Sequence, residues 1–161
     1  MAKATEIDIE ARAKAGRENF LKGYNCAQSV IATFADIYPS DDIDTLLRLS
    51  ASFGGGMGRL RMTCGAASGM FMLAGLENGS ATPGNMEART RNYALVQGLA
   101  AKFTEENDSL ICAELLGMRT GKIEPPRPSE RTTEYYRERP CPRLVECACR
   151  IYAHHLANKN D

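Results

Sequence analysis

Cysteine is the residue type in this sequence most able to carry chemistry. The six cysteines are Cys26, Cys64, Cys112, Cys141, Cys147 and Cys149. The sequence predicts no secretory signal, and in a chain of that kind cysteine is more often a metal ligand, a redox group or a small buried residue than half of a structural disulfide. The chain has no Cys-x-x-Cys pair, the strongest sequence signal for a zinc knuckle or a thioredoxin-type motif. A cysteine site would therefore be assembled from distant segments.

Three of the cysteines lie where helices are predicted to begin. Cys26 follows Asn25 and Cys64 follows Thr63, two good helix-capping residues, and Cys141 lies between two prolines. Unpaired backbone N–H groups and the positive end of the helix dipole stabilise a thiolate at such a position. The alternative is that each cysteine is only a small buried residue, which is common for free cysteine.

The other three cysteines differ in their expected roles. Cys112 follows Asp108 and Ser109 within about one turn, which would give its thiol a weaker version of the same effect. Cys147 and Cys149 are two residues apart on a predicted helix, so their side chains point about 200° from each other. We therefore expect Cys147 and Cys149 to be dispensable for the site.

A glycine-rich stretch from residue 53 to residue 75 surrounds Cys64. It fits neither the Walker pattern nor the dinucleotide-binding glycine pattern, so a phosphate cradle is not indicated. Glycines here would allow a sharp turn and a close approach of Cys64 to other segments. With Arg59 and Arg61 nearby, we predict Cys64 to be the most reactive thiol, although the two arginine side chains are more simply expected to face water.

Helical periodicity covers most of the chain, and no alternating strand pattern is found. The sequence predicts an all-α, single-domain helical bundle over residues 1–161, with a glycine-rich loop before a central helix of small residues. Asp41 or Asp42 is the expected cap of the third helix, and residues 118–140 are expected to be irregular. The other helices are predicted over residues 5–22, 26–38, 64–76, 85–106, 110–116 and 142–158.

Composition narrows the classes of partner. Lys plus Arg and Asp plus Glu both total 20, so no overall charge favours nucleic acid or an anionic membrane. The longest apolar stretch is shorter than the roughly 20 residues that span a bilayer. We expect a cytoplasmic protein with no nucleic-acid partner and no membrane insertion.

Several motifs, taken in order, closely resemble those of a family of small bacterial and archaeal proteins described as redox-active. The family is named for a C…GCAxxG…C…C cysteine signature, and the similarity covers about residues 16–156. The motifs are "GYNCAQSV", "FGGGMG", "CGAASG", "CAELLG" and "RPCPRLVECA". The resemblance maps the four family cysteines onto Cys26, Cys64, Cys112 and Cys141. Gly65, Ala66 and Gly69 complete the central motif, and here the glycine follows the cysteine instead of preceding it.

The resemblance implies redox or metal chemistry at these four cysteines, which are then both the candidate catalytic residues and the candidate metal ligands. Gly65 and Gly69 become candidate cofactor-binding residues. In one interpretation the thiols cycle with disulfides or transfer electrons, as in a thiol-based oxidoreductase. In the other they form a Cys₄ site for an iron–sulfur cluster or zinc. We favour redox-active thiols that could also hold a metal.

A third interpretation is a Cu(I)-binding module that uses methionines near Cys64, since soft sulfur ligands suit Cu(I). The methionines concerned are Met57, Met62, Met70 and Met72. They are more simply explained as core residues. A redox partner is implied but not identified, and the "EYYRER" segment could contact a second subunit in a homodimer.

Overall fold

The computed structural model describes residues 6–119 and 124–159, and these form an all-α bundle, as predicted. Two short 3₁₀ segments, Ala35–Ile37 and Ala51–Phe53, directly follow the helices that end at Phe34 and Ser50. The helices are α1 (Ile9–Lys22), α2 (Cys26–Phe34), α3 (Ile43–Ser50), α4 (Gly54–Met57), α5 (Gly65–Asn78), α6 (Met86–Asn107), α7 (Cys112–Leu115), α8 (Thr133–Glu138) and α9 (Cys141–Lys159).

The predicted caps are correct at two of three positions. Asn25 caps α2 in a reciprocal capping box with Gln28, and Asp42 caps α3 by accepting from the amide of Thr45. Thr63 does not cap α5, because Cys64 itself occupies the N-cap position. Thr63 instead pairs with Ile111 in an isolated β-bridge.

The region predicted to be irregular, residues 118–140, contains a helix. α8 begins after Thr132, whose hydroxyl accepts from the amide of Tyr135. The flanking prolines and charged residues are typical of a loop, and a helix of six residues is too short for hydrophobic periodicity to indicate it. Residues 120–123 of that region, and residue 5 of the first predicted helix, lie outside the described part of the chain.

The core lies where α5 packs between α2, α6 and α9. The small residues that begin α5 are buried, as are Met70 and Leu73 further along it. A Cβ atom on Gly69 would lie 2.8 Å from Cβ of Val30 and 3.0 Å from the carbonyl oxygen of Ala27. Only glycine therefore allows α5 to cross α2 this closely.

A polar network joins α5 to α9 at the end of the bundle where both helices finish. The Glu77 carboxylate lies 2.8 Å from Nε2 of His155 and 2.6 Å from Nζ of Lys159. Burial opposes ionisation of Glu77, but these two partners outweigh it and lower its pKa to about 2. Tyr152 also donates to Glu77. Because His155 contacts the same carboxylate, it has a structural partner in this network.

Hydropathy gives no sign of a transmembrane helix: within residues 6–119 and 124–159, none of the helices is both long and apolar enough to cross a membrane.

Candidate functional site

A cavity of about 380 Å³ lies at the end of the bundle opposite the Glu77 network. Its walls come from the starts of α2, α5, α7 and α9, from residues 54–61, which we call the glycine turn, and from residues 126–131. All four predicted site cysteines line it, namely Cys26, Cys64, Cys112 and Cys141. The prediction that these four converge in one pocket is confirmed.

Each of the four cysteines lies at the start of a helix. Cys26, Cys112 and Cys141 are the first residues of α2, α7 and α9, and Cys64 is the N-cap residue of α5. The cavity is therefore built where four chain segments enter helices. Cysteines that are far apart in sequence come together because the helices that they begin converge at this cavity.

Backbone hydrogen bonds fix Cys64 and Cys112 beside each other. The amide of Cys64 donates to the carbonyl of Leu110 at 2.7 Å, and the amide of Cys112 donates to the carbonyl of Met62 at 2.6 Å. Together with the bridge between Thr63 and Ile111, these bonds make the two segments run antiparallel for a short distance. The two thiols are thus positioned by main chain as well as by packing.

The glycine turn that precedes Cys64 is left-handed over several consecutive residues. Gly55 and Gly56 have φ values of 69° and 68°, and Met57 and Arg59 also lie at positive φ, 72° and 68°. A Cβ atom on Gly56 would lie 2.6 Å from Cβ of Cys112. The glycines therefore permit both the turn and its close contact with the Cys112 side chain. Non-glycine residues held at positive φ mark a locally strained segment.

The two glycines predicted to bind a cofactor have different surroundings. Gly65 lines the cavity, and a Cβ atom there would lie 2.9 Å from both Cβ of Cys26 and the carbonyl oxygen of Phe53. Gly69 packs against α2 and is not among the described residues that line the cavity. The close approach of Cys26 to α5 therefore depends on Gly65, while Gly69 serves the helix crossing.

Arg59 and Arg61 face the cavity, so the expectation that they face water was wrong. Nε of Arg61 lies 2.6 Å from Oε2 of Glu124, and Nη1 of Arg61 donates to Sγ of Cys112 at 3.6 Å. Nε of Arg59 lies 3.4 Å from the same Glu124 oxygen. The left-handed turn reverses the chain and directs both side chains inward, an effect that helical periodicity cannot reveal.

The thiols of Cys26 and Cys141 form a hydrogen-bonded pair with opposite acid–base behaviour. The hydrogen bond from Cys26, followed by the positive charges of Arg139 and Arg61, overcomes burial and lowers the pKa of Cys141 to about 7. The same hydrogen bond, with burial, raises the pKa of Cys26 well above its usual range. The pKa of Cys141 is therefore the lower of the two, and Cys141 is the thiol of the pair that ionises first.

Cys64 is not the acidic thiol that its position at a helix start predicted. Its side chain is almost fully buried, and burial raises its pKa to about 12. The amides of Ala66 and Ala67 favour the thiolate and oppose this rise, although Cys64 makes no side-chain capping hydrogen bond. Burial also raises the pKa of Cys112, against the opposing effect of Arg61. Desolvation outweighs the helix dipole at both residues.

The remaining sulfur atoms lie elsewhere. Cys147 and Cys149 are buried along α9 and do not line the cavity, nor does any of the four methionines of the copper interpretation. Met70 is fully buried in the core and Met62 is 53% exposed, so these methionines do not share a surface. Across residues 6–119 and 124–159, no three or more His, Cys, Asp or Glu side chains are grouped so as to hold a metal ion.

Sequence reasoning missed two arginines and a tyrosine of the cavity wall. Arg131, Tyr135 and Arg139 line it and come from the region predicted to be irregular. The available signal was position, since Arg139 precedes Cys141 by two residues. Tyr135 packs edge-on against Tyr136, which in turn contacts Phe20 of α1, so both tyrosines of "EYYRER" contact their own chain.

These features define a small all-α protein with a cysteine-lined cavity at the meeting point of four helix starts. Comparison with family profiles gives a match over residues 24–155 to the profile described as "Putative redox-active protein (C_GCAxxG_C_C)". The chain belongs to this family, as its motifs predicted. Searches of curated proteins and of solved structures found no match.

Proposed function

We propose that this protein is a thiol redox protein in which Cys141 is the attacking thiolate and Cys26 the resolving thiol. The observation that supports this most directly is the paired arrangement of these two thiols in the cavity wall, with Cys141 as the acidic partner. A nucleophilic thiolate beside a second thiol is the arrangement that dithiol–disulfide exchange requires.

The Cys141 thiolate attacks one sulfur of a substrate disulfide, the substrate S–S bond breaks, and one thiolate leaves. Cys26 then loses its proton and attacks Sγ of Cys141, which releases the second substrate thiolate. Two electrons pass from the protein to the substrate, which becomes two thiols once protonated, and the protein is left with a Cys26–Cys141 disulfide.

The acid–base pattern of the pair suits this order of events. Cys26 holds its proton because the neighbouring Cys141 sulfur accepts its hydrogen bond and carries the negative charge. Once Cys141 is part of a mixed disulfide, that charge is gone. The pKa of Cys26 then falls, and the resolving thiol is activated only after the first step has occurred. We also infer a cytoplasmic setting, because a reducing compartment would return the disulfide to two thiols.

A second candidate function rests on the convergence of all four cysteines on one cavity. Four thiolates are the ligand set of iron–sulfur clusters and of structural zinc. Cys26, Cys64, Cys112 and Cys141 would supply the ligands, but among the described residues no three such side chains are grouped closely enough to hold a metal ion, so the four thiols would have to move together to form the centre. The Arg61 side chain beside Cys112 would offset part of its negative charge. Metal analysis and an absorption spectrum of protein purified without oxygen distinguish this candidate from a bare dithiol.

The test of the proposed function is titration in glutathione redox buffers, with peptide mapping of the oxidised protein. We expect one two-electron transition that produces a Cys26–Cys141 disulfide and disappears in Cys141→Ser and Cys26→Ser. The double variant Cys147→Ser, Cys149→Ser is the matched control and should keep the transition. A disulfide that joins other cysteines, or no disulfide in any buffer, would contradict the proposal.

A further inference from the structure

The cysteine cavity carries an excess of positive charge. Among its described lining residues are four arginines, namely Arg59, Arg61, Arg131 and Arg139. Within the described residues, the carboxylate in contact with any of these four is that of Glu124, which lies 3.4 Å from Nε of Arg59 and 2.6 Å from Nε of Arg61. One carboxylate cannot neutralise four guanidinium groups, and unpaired charges in a partly buried site are costly unless a ligand compensates them.

Three of these arginines are already engaged by the protein. Arg61 is bonded to Glu124 and Cys112, and Arg59 donates to the carbonyl of Arg127 as well as lying beside Glu124. Arg131 donates to the carbonyls of Phe20 and Tyr24, and its guanidinium lies 4.1 Å from the centre of the Phe20 ring. Carbonyls satisfy its N–H groups but leave its charge uncompensated.

Arg139 is different. Within the described residues, its guanidinium has no hydrogen-bond acceptor and no carboxylate partner, and it lies 5.4 Å from the centre of the Tyr135 ring. It is also one of the charges that favour the Cys141 thiolate. A donor fork with no acceptor, held beside a nucleophilic sulfur, is arranged to receive an anionic group from a ligand.

We infer that the cavity binds a small organic disulfide that carries a carboxylate or phosphate group, with Arg139 as the principal contact to that anion. The inference rests on the proposed function, since it names the class of substrate that Cys141 would attack. The cavity volume of about 380 Å³ is in the range of small-molecule sites. Its apolar wall, which includes Phe20, Leu115 and Leu144, would contact the organic part of the ligand.

The positive field also fits the chemistry of exchange. Attack on the substrate disulfide creates a leaving thiolate, so negative charge grows close to Arg139 and Arg61 as the S–S bond breaks. Guanidinium groups held in place before the reaction stabilise such charge without reorganisation. A neutral disulfide would gain this effect only at its leaving sulfur, whereas an anionic disulfide would also be held by its charged group.

Two thiol reagents of different charge test the inference. The reduced full-length protein is mixed with 5,5′-dithiobis(2-nitrobenzoate), which carries two carboxylates, or with neutral 2,2′-dithiodipyridine, and the rate at Cys141 is measured at constant pH. The informative quantity is the rate with the dicarboxylate reagent divided by the rate with the neutral reagent. A change in the pKa of Cys141 alters both rates together, so the ratio reports recognition of the anion.

We expect Arg139→Gln to lower the ratio by roughly tenfold, as for the loss of one charge-assisted hydrogen bond. Arg139→Lys should keep more of the ratio than the glutamine variant. Arg89→Gln removes one exposed charge on α6, away from the cavity, and should leave the ratio unchanged. An unchanged ratio in Arg139→Gln would overturn the inference.

A ligand competition tests the same point in the unmodified protein, in case Arg139→Gln does not fold. Benzoate should slow the reaction of Cys141 with the neutral reagent, whereas benzamide at the same concentration and ionic strength should not. Equal effects of the two compounds would contradict anion binding. Failure of the proposed function has a separate signature. In that case Cys141→Ser would consume both reagents as fast as the wild-type protein does, because other thiols would carry the reaction.

Discussion

Cys141 and Cys149 lie eight residues apart on α9, about two helical turns, in opposite surroundings. Cys141 opens the helix in the cavity wall, where a neighbouring thiol and two arginines lower its pKa to about 7. Cys149 is fully buried where α9 crosses α1, and burial raises its pKa to about 12. A Cβ atom on Gly16 of α1 would collide with Sγ of Cys149 and lie 3.1 Å from its Cβ.

The difference shows which effect controls thiol chemistry in this protein. A helix start alone is not sufficient, because Cys64 also lies at a helix start and has a pKa near 12. What distinguishes Cys141 from Cys64 is the hydrogen bond from Cys26 together with the positive charges of Arg139 and Arg61. At Cys112, burial is not overcome by the contact with Arg61 alone, and the pKa is raised. Specific partners outweigh desolvation at Cys141, and where such partners are weak or absent, desolvation prevails.

The largest effect we predict is the difference in alkylation rate between the two ends of α9. In the reduced, metal-free protein, the rate of iodoacetamide modification at Cys141 should rise through pH 7 and level off above it, because the thiolate population follows the lowered pKa. At pH 7 about half of Cys141 is ionised, and a thiol with a pKa near 12 is ionised to only about 10⁻⁵. The ratio of rates should exceed roughly 10³, as measured by mass spectrometry of labelled peptides.

Cys64 provides the internal control for that comparison. It lies in the same cavity as Cys141 but should react as slowly as Cys149. If Cys64 were modified faster than Cys141 near pH 7, the helix start would be the dominant influence after all. Arg139→Gln should move the rate profile of Cys141 to higher pH, since it removes a charge that favours the thiolate.

The second prediction contrasts a glycine at the cavity with a glycine far from it. Gly56→Ala should lower the free energy of unfolding by about 3 kcal/mol, because the methyl group is forced to positive φ and meets the backbone of Arg61 and the side chain of Cys112. Gly98→Ala on α6 has open space around it and should raise the free energy of unfolding by about 0.5–1 kcal/mol. Urea denaturation measures both.

Equal stabilities of the two variants would mean that the turn does not approach Cys112 as closely as described. Gly56→Ala that folds should also show a slower reaction at the cavity cysteines, since the turn forms part of the wall. Gly98→Ala should leave those rates unchanged. The pair thus separates a general effect of removing glycine from an effect on the site.

Sequence was sufficient for the fold class, the capped start of α2 and the identity of the four cavity cysteines. Periodicity and capping are local properties, so they can be recognised without the tertiary structure. The acid–base order of the thiols was not predictable, because it depends on which partners surround each sulfur. Cys141 is paired with Cys26 from the other end of the chain, and Arg61 is turned inward by residues at positive φ. Neither contact leaves a sequence pattern.

The smallest effect we predict is on the free energy of unfolding at Cys149, and it tests whether Cys149 is a packing residue. Gly16→Ala should destabilise the protein by about 1–3 kcal/mol through overpacking against Sγ of Cys149, and Cys149→Ala by about 1 kcal/mol through lost contacts. In the double variant the sulfur that obstructs the new methyl group is absent. The combined loss should therefore be smaller than the sum by about 1 kcal/mol, because the two sites share one contact.

Gly98→Ala combined with Cys149→Ala serves as the control, and the two changes in the free energy of unfolding should be additive. Additivity in the Gly16 pair as well would show that α1 and α9 do not meet at this contact. All of these variants should keep the Cys26–Cys141 redox transition, since Cys149 lies outside the cavity.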